Sequence, residues 1–291
     1  MGADSRISLV MPTFNRLAAL RENFASVRAV AGIEEIIVVV DGSTDGTAEW
    51  LEGLADQRIT VIRQPQRGSP AARNAGIDAA HGEWILMTED DCFLPSEFAV
   101  TLLDVARSRQ ADIVSAPWVP VYGGGDINAA YERARDSAQA DIHLDTSPKV
   151  FPREDLLTPF LNGVVLVRRG VFDALRYDES LPGNAWREET SLFLSAVSRG
   201  FRCVLTPRTA SFQLGQWEGG QRGPVLAYEL SAIRNNWRFL RAHADTLRRL
   251  GEIRSPLLAQ SEFILDRIWE RVGKPIRLRF TRLLSRLRGW A

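Results

Sequence analysis

The sequence predicts an α/β fold built on a parallel sheet with helices on both faces, and three observations carry the prediction. Strand-like and helix-like segments alternate four times up to residue 116. The segment Glu35 to Val40 is apolar and β-branched almost throughout, as in a parallel strand covered on both sides. Three polar clusters, Thr13-Phe14-Asn15, Asp41-Gly42-Ser43 and Glu89-Asp90-Asp91, stand where strands end, and open α/β sheets bind ligands beyond the carboxyl ends of their strands.

Each element has a local reason. Ile7 to Met11 is a short apolar run closed by Pro12, a buried strand. Leu17 to Val30 has apolar residues at helical spacing. After Glu35 to Val40 comes the turn Gly42-Ser43-Thr44-Asp45-Gly46, with Asp45 the expected N-cap of a helix from Thr47 to Leu54. Ile59 to Gln64 reads as a strand, and Pro70 marks the start of a helix through Ala80. Trp84 to Thr88 is a strand running into the acids. A helix from Pro95 to about Ser108 and a strand from Asp112 to Ala116 follow. The second half is less regular. Trp118 to Phe160 shows few strand signals and some helix near Ala129 to Ala140. Val164 to Val167 and Arg202 to Leu205 read as strands, Glu188 to Ser198 as a helix, and Leu226 to Leu250 as one long helix. Ser255 to Arg288 holds two helical stretches interrupted by Gly273 and Pro275.

Composition bounds the class. With 291 residues and 45% apolar side chains the chain can bury a large core. Two distant cysteines, Cys92 and Cys203, exclude a disulfide framework and a Cys-rich zinc site and fit a reducing compartment. Met1 to Ser8 lacks the apolar run of a signal peptide, and no apolar stretch is long enough to span a bilayer. The formal net charge of zero names no partner, yet nine Arg or Lys against three acids fall between Ile253 and Ala291.

The chemistry starts at Glu89-Asp90-Asp91. Three adjacent carboxylates after a buried strand repel one another unless a cation is present, and hard oxygen ligands suit Mg²⁺ or Mn²⁺. The plain reading is a solvated acidic turn before the helix near Pro95. The position on the same sheet edge as the other clusters favours the metal. Asp41 can accept hydrogen bonds from a base or ribose, or can simply close its own turn. Arg73, in Arg73-Asn74-Ala75-Gly76, is placed to hold a phosphate or to lie solvated on its helix.

In order, Pro12-Thr13-Phe14-Asn15-Arg16, Val39-Val40-Asp41-Gly42-Ser43-Thr44-Asp45-Gly46-Thr47, Ala72-Arg73-Asn74-Ala75-Gly76 and Glu89-Asp90-Asp91 resemble a family 2 glycosyltransferase of the GT-A fold. Asn162-Gly163 with Arg168-Arg169, Tyr177-Asp178-Glu179 and Trp186-Arg187-Glu188-Glu189-Thr190 continue the resemblance, which covers about residues 6 to 240. It implies an inverting enzyme that moves a sugar from a nucleotide-diphosphate sugar, UDP-sugar by default, to an acceptor hydroxyl. Pro12, Thr13, Phe14, Asn15, Arg16, Asp41, Ser43, Arg73, Asn74, Glu89 and Asp90 would bind the nucleotide and donor. Asp91 and Glu89 match the DxD acids that ligate Mn²⁺ or Mg²⁺. Glu189 would be the catalytic base, with Glu188 the alternative, and Asn162, Gly163 and Trp186 would meet the sugars.

There are three departures from the family pattern. Glu89 replaces the first Asp of the DxD, Glu replaces the usual Asp base, and Gln213 stands where a His often lies beside the diphosphate, a weaker metal ligand. A nucleotidyltransferase is disfavoured because no Gly-rich phosphate loop follows the first strand. A dehydrogenase is disfavoured because no GxGxxG follows a strand. An inactive binding module is disfavoured by the intact acids at 41, 91 and 189.

The expected organisation is a catalytic domain over residues 1–220, with a nucleotide half at about 6–116 and an acceptor half at about 117–220, and a basic helical extension over 221–291. In the extension, Ile264, Leu265, Ile268, Trp269 and Val272, and then Ile276 to Leu287, form an apolar stripe interleaved with arginines. Such a stripe suits an anionic membrane surface, the flank of the catalytic domain or a second copy of the chain. The expected partners are a nucleotide sugar and a sugar or lipid-linked acceptor, with no nucleic acid. The expected location is cytoplasmic, peripheral at the inner face of the membrane.

Overall fold

The structure is a computed structural model that describes residues 6–121, 125–140, 142–144, 151–214 and 224–273. Eleven strands are β1 (Ile7–Thr13), β2 (Ile33–Asp41), β3 (Ile59–Gln64), β4 (Trp84–Met87), β5 (Cys92–Phe93), β6 (Ile113–Ser115), β7 (Trp118–Val121), β8 (Leu156–Leu157), β9 (Val165–Arg168), β10 (Cys203–Leu205) and β11 (Ser211–Leu214) among the described residues. The helices are α1 (Leu17–Ala29), α2 (Thr47–Glu52), α3 (Ser69–Ala79), α4 (Phe98–Arg109), α5 (Ile127–Asp136), α6 (Arg169–Ala174), α7 (Glu188–Ser198), α8 (Val225–Ala242), α9 (Ala244–Arg249) and α10 (Pro256–Ile268). A π-helical turn, Trp269–Gly273, continues α10. The part of the predicted apolar stripe from Ile276 onward lies outside the described residues.

The main sheet has the order β3-β2-β1-β4-β9-β6-β10-β8. Side chains alternate between its faces because a strand has a period of two. Leu9, Met11, Ile36, Val38 and Leu86 pack on one side with α1 and α4. Val10, Ile37, Val39, Ile85 and Met87 pack on the other with α3, α6 and α7. Phe239, Leu240, Leu247 and Ile253 of the C-terminal segment join this second cluster, so α8 and α9 are seated on the sheet's own core.

The sheet is mixed rather than wholly parallel. Strands β1, β2, β3 and β4 run parallel, but β9 runs antiparallel to both β4 and β6, and β8 is antiparallel to β10. The chain reaches β9 from the carboxyl edge of the parallel strands, so it enters the sheet against their direction. Asn162-Gly163, just before β9, therefore stands at the same edge as the acids after β4. A second sheet of order β5-β11-β7 forms beside it. The region after Trp118 was expected to hold little strand. It pairs because β11 supplies the partner, and that register sets Gln213 opposite Cys92.

Two helix readings also change. The helix expected over Leu226 to Leu250 breaks at His243, whose φ of −112° and ψ of 15° end α8 before α9 begins. The imidazole is tied to Ser191 Oγ at 2.8 Å, which draws the chain onto α7. The cap residue of α2 is Gly46, in the left-handed region at φ 86°, although Asp45 still accepts from Thr47 N and Leu17 N.

One close approach sets the height of α3 above the sheet. A Cβ on Gly76 would lie 2.3 Å from Val10 Cγ1 and 3.2 Å from Val39 Cγ2. Gly76→Ala is therefore expected to destabilise the fold by about 1–3 kcal/mol, the cost of overpacking a well-filled core. Urea denaturation reads this as a lower midpoint with an unchanged slope. An unchanged midpoint would mean that the helix shifts freely.

Candidate active site

The carboxyl edge of β1, β2 and β4, the entry to β9 and the N-terminus of α7 enclose a cleft of about 570 Å³. Pro12, Thr13, Phe14 and Arg16 line it from the loop after β1, and Asp41 from the end of β2. Asp41 is buried and satisfied by the protein itself. It accepts from Gln64 Nε2 at 2.7 Å, Arg67 N at 2.8 Å and Gly68 N at 2.9 Å, so it shapes the loop leading into α3. Asn15 and Ser43 do not line the cleft. Asn15 N donates to Ser43 Oγ at 2.9 Å and Asn15 Oδ1 accepts from Thr44 N at 2.8 Å, which pins the loop after β1 to the loop after β2.

The acids follow β4. Thr13 Oγ1 donates to Asp90 Oδ2 at 2.7 Å, and Arg16 lies 3.9 Å from Asp90 and 3.8 Å from Asp91. Burial and the Asp91 charge push Asp90 up to about 7. The same two causes hold Glu89 well above the usual carboxylate range. Such crowding is what a cation relieves. Carboxylate oxygens of Glu89 and Asp91 and the Cys92 sulfur lie within 4.8 Å of one another. Burial and the neighbouring acids push the Cys92 thiol well up, so it stays neutral and is a poor ligand. What remains is a pair of hard oxygen donors, a set that fits Mg²⁺ or Mn²⁺. Gln213 reaches this pair through its amide nitrogen, which donates to Asp91 Oδ2 at 3.1 Å.

Arg73 lines the cleft beneath the acids as a buried hub. Its Nη2 lies 3.1 Å from Glu189 Oε1 and 3.5 Å from Glu89 Oε1, and its Nε lies 3.4 Å from Glu188 Oε1 and 3.1 Å from Ser69 Oγ. The guanidinium also stacks 5.4 Å from the centre of the Tyr177 ring. Burial works against its charge, and the surrounding carboxylates, Glu189 first among them, more than offset that. The two adjacent glutamates differ. Glu188 is buried, takes a hydrogen bond from Ser69 Oγ at 2.8 Å, and is held above the usual range by burial and by the Glu189 charge. Glu189 keeps a quarter of its side chain exposed at the cleft.

Gly163 closes this group. A Cβ there would lie 2.8 Å from both Glu189 Oε1 and Glu89 Oε1, so the absence of a side chain lets the two carboxylates share Arg73. Asn162 lines the cleft, but its polar atoms hold the backbone: Oδ1 accepts from Val164 N at 2.9 Å and Nδ2 donates to Ala116 O at 2.7 Å. Asn74 faces away from the cleft and fixes the segment after α6 through Tyr177 N, Tyr177 O and Glu179 Oε1. Trp186 lines the cleft. Sequence reasoning missed Ser69, Tyr177, Trp118, Phe160, Leu161 and Tyr228. Only packing brings Ser69, Trp118, Phe160, Leu161 and Tyr228 to the wall, and Tyr177 beneath Arg73.

The sequence model described as Glycosyl transferase family 2 matches residues 8–175. Over 216 residues the chain is 27% identical to the putative glycosyltransferase EpsH of Bacillus subtilis, covering 71% of this chain and 58% of that protein. It thus spans less than two thirds of that relative. It is 24% identical over 240 residues to the GalNAc(5)-diNAcBac-PP-undecaprenol beta-1,3-glucosyltransferase of Campylobacter jejuni, covering 79% and 74% of the two chains. Among solved structures, S. aureus TarS 1-349 in complex with UDP-GlcNAc superposes with a TM-score of 0.56 at 17% identity, covering 82% of this chain and 72% of that one. The mannosyltransferase PcManGT from Pyrobaculum calidifontis, in complex with GDP-Man and Mn²⁺, superposes with a TM-score of 0.55 at 18% identity, covering 84% and 64%. At such identities the structural likeness establishes the GT-A fold.

Proposed function

This chain belongs to glycosyltransferase family 2, and from that premise we propose that it moves a sugar from a nucleotide-diphosphate sugar, a UDP-sugar by default, to an acceptor hydroxyl with inversion. The observation that carries this reading is Glu189, a carboxylate at the cleft, held by Arg73 beside the oxygen donors Glu89 and Asp91. A sugar hydroxyl is a poor nucleophile. Glu189 takes its proton as the new bond to the anomeric carbon forms and the bond to the diphosphate oxygen breaks, with the electron pair leaving on the nucleotide. Attack from the face opposite the leaving group inverts the centre in one step.

Asp91 and Glu89 would hold Mn²⁺ or Mg²⁺. When bound, the ion supplies Lewis-acid stabilisation of the charge that develops on the leaving diphosphate. Asp41, with Pro12, Thr13 and Phe14, forms the nucleotide end, while Asn162, Gly163 and Trp186 face the sugars. The catalytic unit is read as residues 1–220 with a helical extension beyond it. Among the described residues no helix is long and apolar enough to cross a membrane. The undecaprenol-linked substrate in the name of the Campylobacter relative supports a lipid-linked acceptor. The basic stretch after Gly273 then suits peripheral contact with an anionic membrane.

Thermal melting with a panel of nucleotide sugars and Mn²⁺ tests the reading. A ligand at one hundred times its Kd stabilises by about 2.7 kcal/mol, so the cognate donor should raise the melting temperature clearly. If no nucleotide sugar shifts the melt or is hydrolysed, the proposal fails. Asp41→Ala should weaken UDP binding by about ten- to hundredfold, the size of a hydrogen bond to a charged group, with a smaller effect on kcat. Unchanged UDP affinity by calorimetry would leave Asp41 as an anchor of the 64–68 loop alone.

A further inference from the structure

Helix α8 contributes to the cleft wall, and α10 packs behind it. Trp186, two residues before Glu188, lines the cleft together with Tyr228 of α8. Helix α10 grips the indole: the Arg267 guanidinium lies 4.9 Å from the Trp186 ring centre, and the Phe263 ring lies 5.9 Å away at 49°. The same guanidinium lies 5.7 Å from the Tyr228 ring and 5.6 Å from the Phe263 ring. Its charge is met by Glu229, which accepts from Arg267 Nε and, at 2.7 Å, from Arg271 Nε. A planar, weakly hydrated guanidinium is the cation best suited to lie among three rings.

A second tie runs parallel to the first. Arg187 Nε donates to Asn236 Oδ1 at 3.1 Å, Asn236 Nδ2 donates to Gln260 Oε1 at 2.8 Å, and Gln260 Nε2 donates to Ile233 O at 3.0 Å. The two residues that precede Glu188 and Glu189 are thus both braced by the C-terminal helices. Within this bracing, the indole nitrogen of Trp186 is buried with no hydrogen-bond partner among the described residues. That nitrogen is closed off from solvent, so the indole offers the cleft its ring surface rather than its N–H.

We propose that Arg267 is a positioning residue for acceptor recognition: it locks Trp186 so that the indole ring forms a wall against a saccharide ring. The inference rests on the reading of the cleft as a glycosyl-transfer site, and it makes α10 a support of the acceptor subsite.

The test compares the full-length chain with Arg267→Ala and Arg267→Lys, each in the native and the Trp186→Phe background. UDP affinity with Mn²⁺, measured by calorimetry, should be unchanged by Arg267→Ala and Arg267→Lys in the native background, because neither Asp41 nor Asp91 is touched. Acrylamide quenching of tryptophan fluorescence should rise on Arg267→Ala in the native background and not in the Trp186→Phe background. With a p-nitrophenyl glycoside as acceptor, Arg267→Ala should raise the acceptor KM about tenfold with little change in kcat, the scale of a desolvated cation–π contact. It should add nothing once Trp186 is Phe. Lysine keeps the charge near Glu229 but not the planar stack, so Arg267→Lys should melt like the wild type yet resemble Arg267→Ala in quenching. Equal quenching changes in both backgrounds, or wild-type quenching in Arg267→Lys, would overturn the proposal. Absence of UDP binding by the wild type would count against glycosyl transfer itself, and the quenching comparison would still judge the clamp.

Discussion

Glu189→Gln is expected to leave nucleotide-sugar affinity intact and to lower kcat by about 10²–10⁴-fold, the range for a positioned general base. The amide keeps the shape of the side chain, and its oxygen can still accept from Arg73 Nη2, which stands 3.1 Å from Glu189 Oε1. What it loses is the ability to take a proton. The neighbouring glutamate is poorly suited to substitute. Glu188 is buried, and both its burial and the Glu189 charge favour its protonated form, which is no base. Glu188→Gln should therefore cost much less in kcat, and its effect should appear through the Ser69 and Arg73 contacts that it shares. Steady-state kinetics on both variants, with donor affinity measured separately, decides the matter. A full loss in Glu188→Gln with near-normal turnover in Glu189→Gln would reverse the assignment.

Asp91→Ala is expected to remove Mn²⁺-dependent turnover, by about 10²–10³-fold or more, since Lewis-acid stabilisation of a leaving diphosphate is worth several kcal/mol. Added Mn²⁺ should not restore it, and EDTA should bring the wild type to the same low rate. Two features make Asp91 the residue to change. Its charge contributes to raising both Glu89 and Asp90, so it sits at the centre of the repulsion that a cation would relieve. It is also where the loop after β1, through Arg16, and the second sheet, through Gln213, meet the acids. Titration of Mn²⁺ by calorimetry gives the direct readout. Full turnover by Asp91→Ala in EDTA would remove the metal from the mechanism.

Much of this molecule was determined by local sequence. The apolar runs of β1, β2 and β4 end in polar residues, and parallel strands in one sheet bring their ends to one edge. Chain order alone therefore assembled Thr13, Asp41 and Glu89 to Asp91 around a common cleft. The adjacent glutamates at the start of α7 and the family resemblance were legible for the same reason: each is a contiguous pattern.

What only the tertiary structure decided were directions and distant partners. A short, mostly apolar strand such as β9 reads the same in either direction. Its antiparallel entry, which delivers Gly163 between Glu89 and Glu189, follows from where the chain re-enters the sheet. Arg73 looks like a surface arginine on a short helix until Tyr177, Glu188 and Glu189 cover it; burial turns a solvated charge into a hub that must be paired. The outward-looking stripe of α10 likewise conceals Arg267 and Phe263, whose partner Trp186 lies on a loop far away in sequence. Periodicity marks the apolar face of a helix but not whether or by what it is covered: Leu265, Ile268 and Trp269 of that stripe stay exposed, because long-range packing is a property of the assembled surfaces rather than of any one segment.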